Sequence, residues 1–245
     1  MTISYDLWLV MSSCVLAIAG CFAASLLAGR LHSGRGTAWG WLTVGVPSLG
    51  LALWAVHFTS LLAVRLPMKP AFDLPLTLLS IEPAIVAAAV VLWLGREGDL
   101  RGMRLLGGVV ALTAGVTATR YFGLAAVRIV PAIQYDWLTF LLSSAASAAV
   151  AYVALRYAGR WIKGATPSTR LAFAVLIGTA MCAAQYLSVA AARVEPNSFA
   201  SAIATSIDYA WLGYTVAWST VTMLVAVSAI ALFYARGKVM HELAS

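Results

Sequence analysis

The chain has 245 residues, of which 62% are apolar and 10% charged, a composition that excludes an ordinary soluble globular domain. Its net charge of +7 would suggest nucleic acid as the partner of a soluble protein, but the basic residues stand in short gaps between apolar runs and form no single solvated face. A nucleic-acid partner is therefore excluded, and the lipid bilayer takes its place.

Crossing about 30 Å of hydrocarbon takes roughly 20 apolar residues, and seven stretches qualify, at about 7–29, 40–64, 74–95, 105–127, 137–158, 170–192 and 209–235. The segment MTISYD ahead of the first has no Lys or Arg and does not read as a signal peptide. The first span carries Met11 and Cys14 one turn apart, and the second carries His57 near its end. In the third, Glu82 precedes Pro83, which removes a backbone donor and restricts its neighbour, so this span is predicted to be bent or locally open. The fourth contains Arg120, the fifth is rich in alanine, and the sixth carries Met181, Cys182 and Gln185. After the seventh comes only the short tail ARGKVMHELAS, and no attached soluble catalytic or DNA-binding domain is expected. The three cysteines, Cys14, Cys21 and Cys182, show no CxxC spacing and read as small apolar fillers. His32 and His241 fall between or beyond spans and read as solvated side chains.

Alternate connections carry Arg30, Arg35, Arg96, Arg101, Arg104, Arg156, Arg160, Lys163, Arg170, Arg236 and Lys238, eleven basic residues, against Arg65, Lys69, Arg128 and Arg193 on the other side. The positive-inside rule then puts the amino terminus outside and the carboxy terminus in the cytoplasm.

Three segments align: WAVHFTSLLAVRLPMKPAFDLPLTLLS from Trp54, TATRYFGLAAVRIVPAIQYDWLTFLLS from Thr117, and CAAQYLSVAAARVEP from Cys182, followed after a longer loop by SIDYAWLGYT. His57, Arg120 and Gln185 are equivalent, as are Arg65, Arg128 and Arg193, and Asp73, Asp136 and Asp208. The expected fold is an all-α membrane protein with seven transmembrane helices. Three parallel two-helix repeats at about 40–95, 105–158 and 170–235 form a single domain, with the first helix extra.

This repeat resembles the MHYT family of bacterial integral membrane sensor domains across essentially the whole chain, most strongly from Gly50 to Leu94 and from Gly115 to Leu155. The resemblance implies a Met-His-Tyr-Thr motif near the outer face whose Met and His residues are proposed to hold copper and to respond to oxygen, carbon monoxide or nitric oxide. At the matching positions this chain has Val56, His57, Phe58 and Thr59; Thr119, Arg120, Tyr121 and Phe122; and Ala184, Gln185, Tyr186 and Leu187. Where the family tends to place methionines four and seven residues after the histidine, it has Leu61 and Val64, Leu124 and Val127, and Val189 and Ala192. Arg offers donors only, so Arg120 disfavours a cation there. The expectation is that the family's copper is not retained. A surrogate copper site from Met11, Cys14, His57, Met181 and Cys182 is the alternative.

His57, Arg120 and Gln185 lie about 6 to 8 Å outward from the middle of their spans at 1.5 Å per residue, with Glu82 close to that layer. Ionised side chains at membrane depth need partners, so Glu82 and Arg120 are expected to form a buried ion pair, or with His57 and Gln185 a pocket for an anionic or polar ligand. No glycine-rich phosphate loop, nucleophile elbow or paired-histidine motif indicates an enzyme. The leading reading is a sensor or signalling domain without its own output domain, acting through a protein partner in the membrane or cytoplasm. A membrane-embedded accessory subunit and a small-ligand binder or transporter are the alternatives.

Overall fold

The computed structural model describes residues 4–32, 38–66, 68–97, 99–162, 165–195 and 197–242. Arg35 and Lys163, two of the basic residues used to orient the chain, lie outside the described residues, as do the side chains of Arg236, Lys238 and His241.

The long helices are α1 (Leu7–His32), α2 (Ala38–Leu62), α5 (Gly102–Ala125), α6 (Trp137–Arg156), α8 (Pro167–Ala190) and α9 (Tyr209–Glu242). A further span is split into α3 (Leu74–Leu79) and α4 (Ile81–Gly95), and the short helix α7 (Ala158–Ile162) lies between α6 and α8. Among the described residues, six helical stretches are long and apolar enough to cross a membrane: Leu7–His32, Trp39–Leu62, Leu74–Gly95, Gly102–Ala125, Trp137–Arg156 and Pro167–Ala190. The break expected near Glu82 and Pro83 falls at Ser80. This residue is buried, donates its hydroxyl to the Thr77 carbonyl and accepts the indole N–H of Trp54 at 2.9 Å. Those bonds meet the polar cost of an interrupted helix in an apolar setting.

The expectation of an all-helical chain needs one amendment. Short antiparallel strands link the helix ends: β1 (Ser4–Tyr5), β2 (Val64–Arg65), β3 (Ala71–Asp73), β4 (Val127–Val130), β5 (Gln134–Tyr135), β6 (Ala192–Arg193), β7 (Phe199–Ala200) and β8 (Ser206–Ile207). β1 pairs with β2 and β5 with β6, while β7, β4, β3 and β8 lie side by side in that order. Backbone groups leaving a helix need partners, and β-branched residues beside the repeated arginines favour pairing across the gap.

The helices close a six-membered ring in which α1 touches α2, α2 touches α4, and the order continues through α5, α6 and α8 back to α1. α9 stands outside it, against α1 and α2. The first helix, expected to be extra, is thus a member of the ring, and the last lies outside it. Small residues make the seams possible, because a Cβ at Gly178 of α8 would lie 2.7 Å from the Ile18 backbone of α1, and one at Gly50 of α2 would lie 2.8 Å from Ile85 Cα. Gly107, by contrast, faces open space. Leu27, Leu49 and Leu92 fill the junction of α1, α2 and α4, while Trp54, Phe58, Phe72 and Leu212 fill that of α2, α4 and α9. Leu7, Trp8, Trp39, Trp137, Leu138 and Trp211 point outward, as a lipid-facing surface requires.

Candidate functional site: a polar network where three helices meet

His57, Arg120 and Gln185 each sit five residues before the end of their helix, on α2, α5 and α8. The ring brings the three together. All are buried, with 2%, 3% and 4% of their surface exposed. Arg120 Nε donates to Gln185 Oε1 at 2.6 Å, and Arg120 Nη1 donates to Ser147 Oγ on α6 at 2.8 Å. Ser147 in turn donates to the Ser143 carbonyl. Because Gln185 Oε1 accepts from the guanidinium, its Nε2 must be the donor in the 2.8 Å contact with His57 Nδ1. His57 Nδ1 is then unprotonated, so the neutral ring carries its proton on Nε2. Nε2 is buried, without a hydrogen-bond partner among the described residues, and lies against Gly123.

A Cβ at Gly123 would collide with His57 Nε2 and Cδ2. Gly123→Ala is accordingly expected to force the imidazole off Gln185 and to destabilise the fold by about 1 to 3 kcal/mol, the usual cost of overpacking. Denaturant titration in mixed micelles measures the loss. A variant as stable as the parent would show that the ring has room to turn.

Glu82 does not join this network. It is exposed on α4, and among the described residues no carboxylate pairs with Arg120. The sequence fixes its depth but not its direction around the helix axis, and successive helical residues differ by about 100°. The guanidinium meets neutral oxygens through two of its nitrogens instead.

The soft-ligand candidates are divided. Cys182 is buried and Cys14 half-buried; their thiols are neighbours, with Ser13 Oγ 3.7 Å from Cys182 Sγ. Met11 is 61% exposed on the outside of α1, and Met181 lies beside the interior cavity. No three His, Cys, Asp or Glu side chains converge among the described residues. These residues do not fit the family's copper: one histidine nitrogen is held by Gln185, the other abuts Gly123, and a guanidinium stands where a second histidine would be.

Above this layer, three arginine–aspartate links tie one unit to the next. Arg65 reaches Asp6 at 3.1 Å, Arg128 reaches Asp73 at 2.7 Å, and Arg193 reaches Asp136. Each aspartate uses its other oxygen to cap the following helix, accepting from Trp8 N, Leu76 N and Thr139 N. Asp208 caps α9 in the same way through Trp211 N, yet has no arginine partner among the described residues. Burial would raise the Asp73 carboxyl, but the hydrogen bonds from Arg128, Leu76 N–H and Thr205 prevail and hold it below the ordinary value. Asp6 is lowered mainly by the Arg65 hydrogen bond, and Asp136 mainly by the Thr139 N–H. The sequence reading found the repeated arginines and aspartates but missed Asp6 as a member. The signal was present, since SYDLW at 4–8 matches QYDWL at 134–138. A hollow of about 690 Å³ opens at this strand-bearing end, with Arg65, Lys69, Met68 and Arg193 in its wall.

The sequence matches a defined class of signalling proteins. The family model described as MHYT, "Bacterial signalling protein N terminal repeat", matches residues 1–41, 50–108 and 114–174. The chain belongs to the MHYT family. It is similar to the bifunctional diguanylate cyclase/cyclic di-GMP phosphodiesterase MucR of Pseudomonas aeruginosa, at 35% identity over 94% of this chain and 33% of that protein. The cyclic di-GMP phosphodiesterase NbdA of the same organism is 26% identical over 82% of this chain and 26% of its own length. The signaling protein YkoW of Bacillus subtilis is 28% identical over 47% of this chain and 14% of its own length. The chain thus spans about a third or less of these relatives. No solved structure matches it.

Proposed function

We propose that this chain is the membrane-embedded sensory part of a cyclic di-GMP signalling system, with seven spans, the amino terminus outside and the carboxy terminus in the cytoplasm of a bacterial inner membrane. It acts through a protein partner that carries the cyclase or phosphodiesterase activity. The observation that supports this reading is the convergence of His57, Arg120 and Gln185, the three positions equivalent to the family's motif histidines, at one buried point of the ring. Similarity to MucR over almost the whole chain supplies the pathway. Its stimulus is not read by copper, because the side chains at that point are donors to one another and leave no set of soft ligands.

Two measurements test the reading. Purified protein prepared without chelator is expected to contain well under one copper per chain by elemental analysis, and one copper lost on His57→Ala would overturn the copper-free site. Cysteine labelling in intact cells is expected to reach Lys69 and Asp136 from outside and Arg101 and Lys163 only after lysis. Cellular cyclic di-GMP that is unchanged on deletion of the gene would favour the second reading, a membrane-embedded accessory subunit, which the replacement of two motif histidines by Arg120 and Gln185 also suits.

A further inference from the structure

A second space lies within the ring, a cavity of about 150 Å³ running down from the network between the helices. Its wall is apolar and built of small residues on α1, among them Ala17, Gly20, Ala24 and Ala28, facing Leu155 and Ile177. The hydroxyls of Ser25 and Ser147, which also border it, are donated to carbonyls of their own helices. Arg120 is the one ionisable group with a full charge in that wall. Two of its nitrogens are engaged by Gln185 and Ser147, while Nη2 makes no hydrogen bond among the described residues.

A cation at the end of an apolar cavity, with no carboxylate beside it, is costly as it stands. A water could bond to the guanidinium and to the buried, unpartnered Thr113 hydroxyl in the same wall, but it would leave the charge without a counterion. An anion resolves it through charge-assisted bonds from a planar fork suited to a carboxylate. The apolar length behind that fork requires the rest of the ligand to be hydrocarbon. A dry cavity of comparable volume holds benzene, which sets the tail at roughly six to eight carbons.

We propose that this cavity binds a single-chain alkyl carboxylate of medium length, with its head on Arg120 and its tail along the α1 alanines. The inference concerns binding alone and stands apart from the signalling reading above.

The test uses the full chain in lipid nanodiscs, titrated calorimetrically with octanoate and corrected against empty nanodiscs. Saturable binding at about one octanoate per chain is expected, at least tenfold tighter than 1-octanol and not displaced by acetate or chloride. Ala24→Leu fills the cavity without touching Arg120 and is expected to abolish binding of both octanoate and octanol. Arg120→Gln, where it folds, is expected to erase the preference for the carboxylate while leaving octanol binding in place. Octanoate uptake equal to that of empty nanodiscs, equal affinity for octanol, displacement by acetate or chloride, or binding unaffected by Ala24→Leu would each overturn the proposal.

Discussion

Gln185→Leu is expected to destabilise the folded chain by about 3 to 5 kcal/mol, the largest loss of any single change in the network. The leucine removes the acceptor of Arg120 Nε and the donor to His57 Nδ1 together. A hydrogen bond to a charged group contributes about 1.5 to 3 kcal/mol, and a buried acceptor left unsatisfied costs about 1 to 3 more. Combining it with Arg120→Leu removes the stranded guanidinium, so the double variant should recover most of the loss and retain mainly the cost of His57 Nδ1. The contrast is Glu82→Gln, an exposed position outside the network, expected to stay within about 0.5 kcal/mol of the parent. Detergent unfolding followed by tryptophan fluorescence distinguishes these outcomes. A Glu82 variant that falls as far as the Gln185 variant would mean that the carboxylate reaches Arg120 after all.

The second large effect belongs to Asp73, the most buried of the linking aspartates. Asp73→Ala takes away a helix cap, worth about 0.5 to 2 kcal/mol, and a charge-assisted bond from Arg128, so a loss of about 2 to 4 kcal/mol is expected. Asp6→Ala and Asp136→Ala, whose arginines are mostly exposed, should cost less. The pH dependence follows from the lowered carboxyl. A group whose value is depressed on folding contributes fully above its unfolded value, about 3.9 for Asp, and loses that contribution as pH falls through the folded value. Acidification below about pH 4 should therefore weaken the parent, and Asp73→Asn should flatten that limb. An acid limb unchanged by Asp73→Asn would remove this residue as its source.

The sequence made the spans legible because each is a long apolar run, and it made the layer of His57, Arg120 and Gln185 legible because a repeat places equivalent residues at equal depth. It did not reveal which way Glu82 points, since depth carries no direction around the helix axis. Ser147, the other partner of Arg120, was lost among the many small residues of α6, where nothing in the spacing sets it apart. The links between units were half visible. Arg128 and Asp136 stand in the same repeated segment, yet each pairs outside it, Arg128 with Asp73 and Asp136 with Arg193. Residues adjacent in an alignment need not be adjacent in a ring, and Asp6 was overlooked because the first helix was set aside as extra.

The seam between α1 and α8 has a consequence for how the chain is made. It joins residues far apart along the chain, as in the 3.0 Å contact of Ser13 Oγ with Tyr186 OH across 173 positions. At ordinary rates of synthesis, roughly 5 to 20 residues per second, the first helix waits on the order of 10 to 35 seconds in the bilayer before its neighbour on that side exists. It must tolerate the wait alone, and its composition suits this: α1 has the highest mean hydropathy of the six candidate spans and carries no acidic or basic residue until Arg30. The helix bearing Arg120 has the lowest. Its guanidinium meets Gln185 only after another 65 residues have been added. Assembly is thus governed by which helices can stand by themselves in lipid, and the one with the buried charge is the one most in need of company.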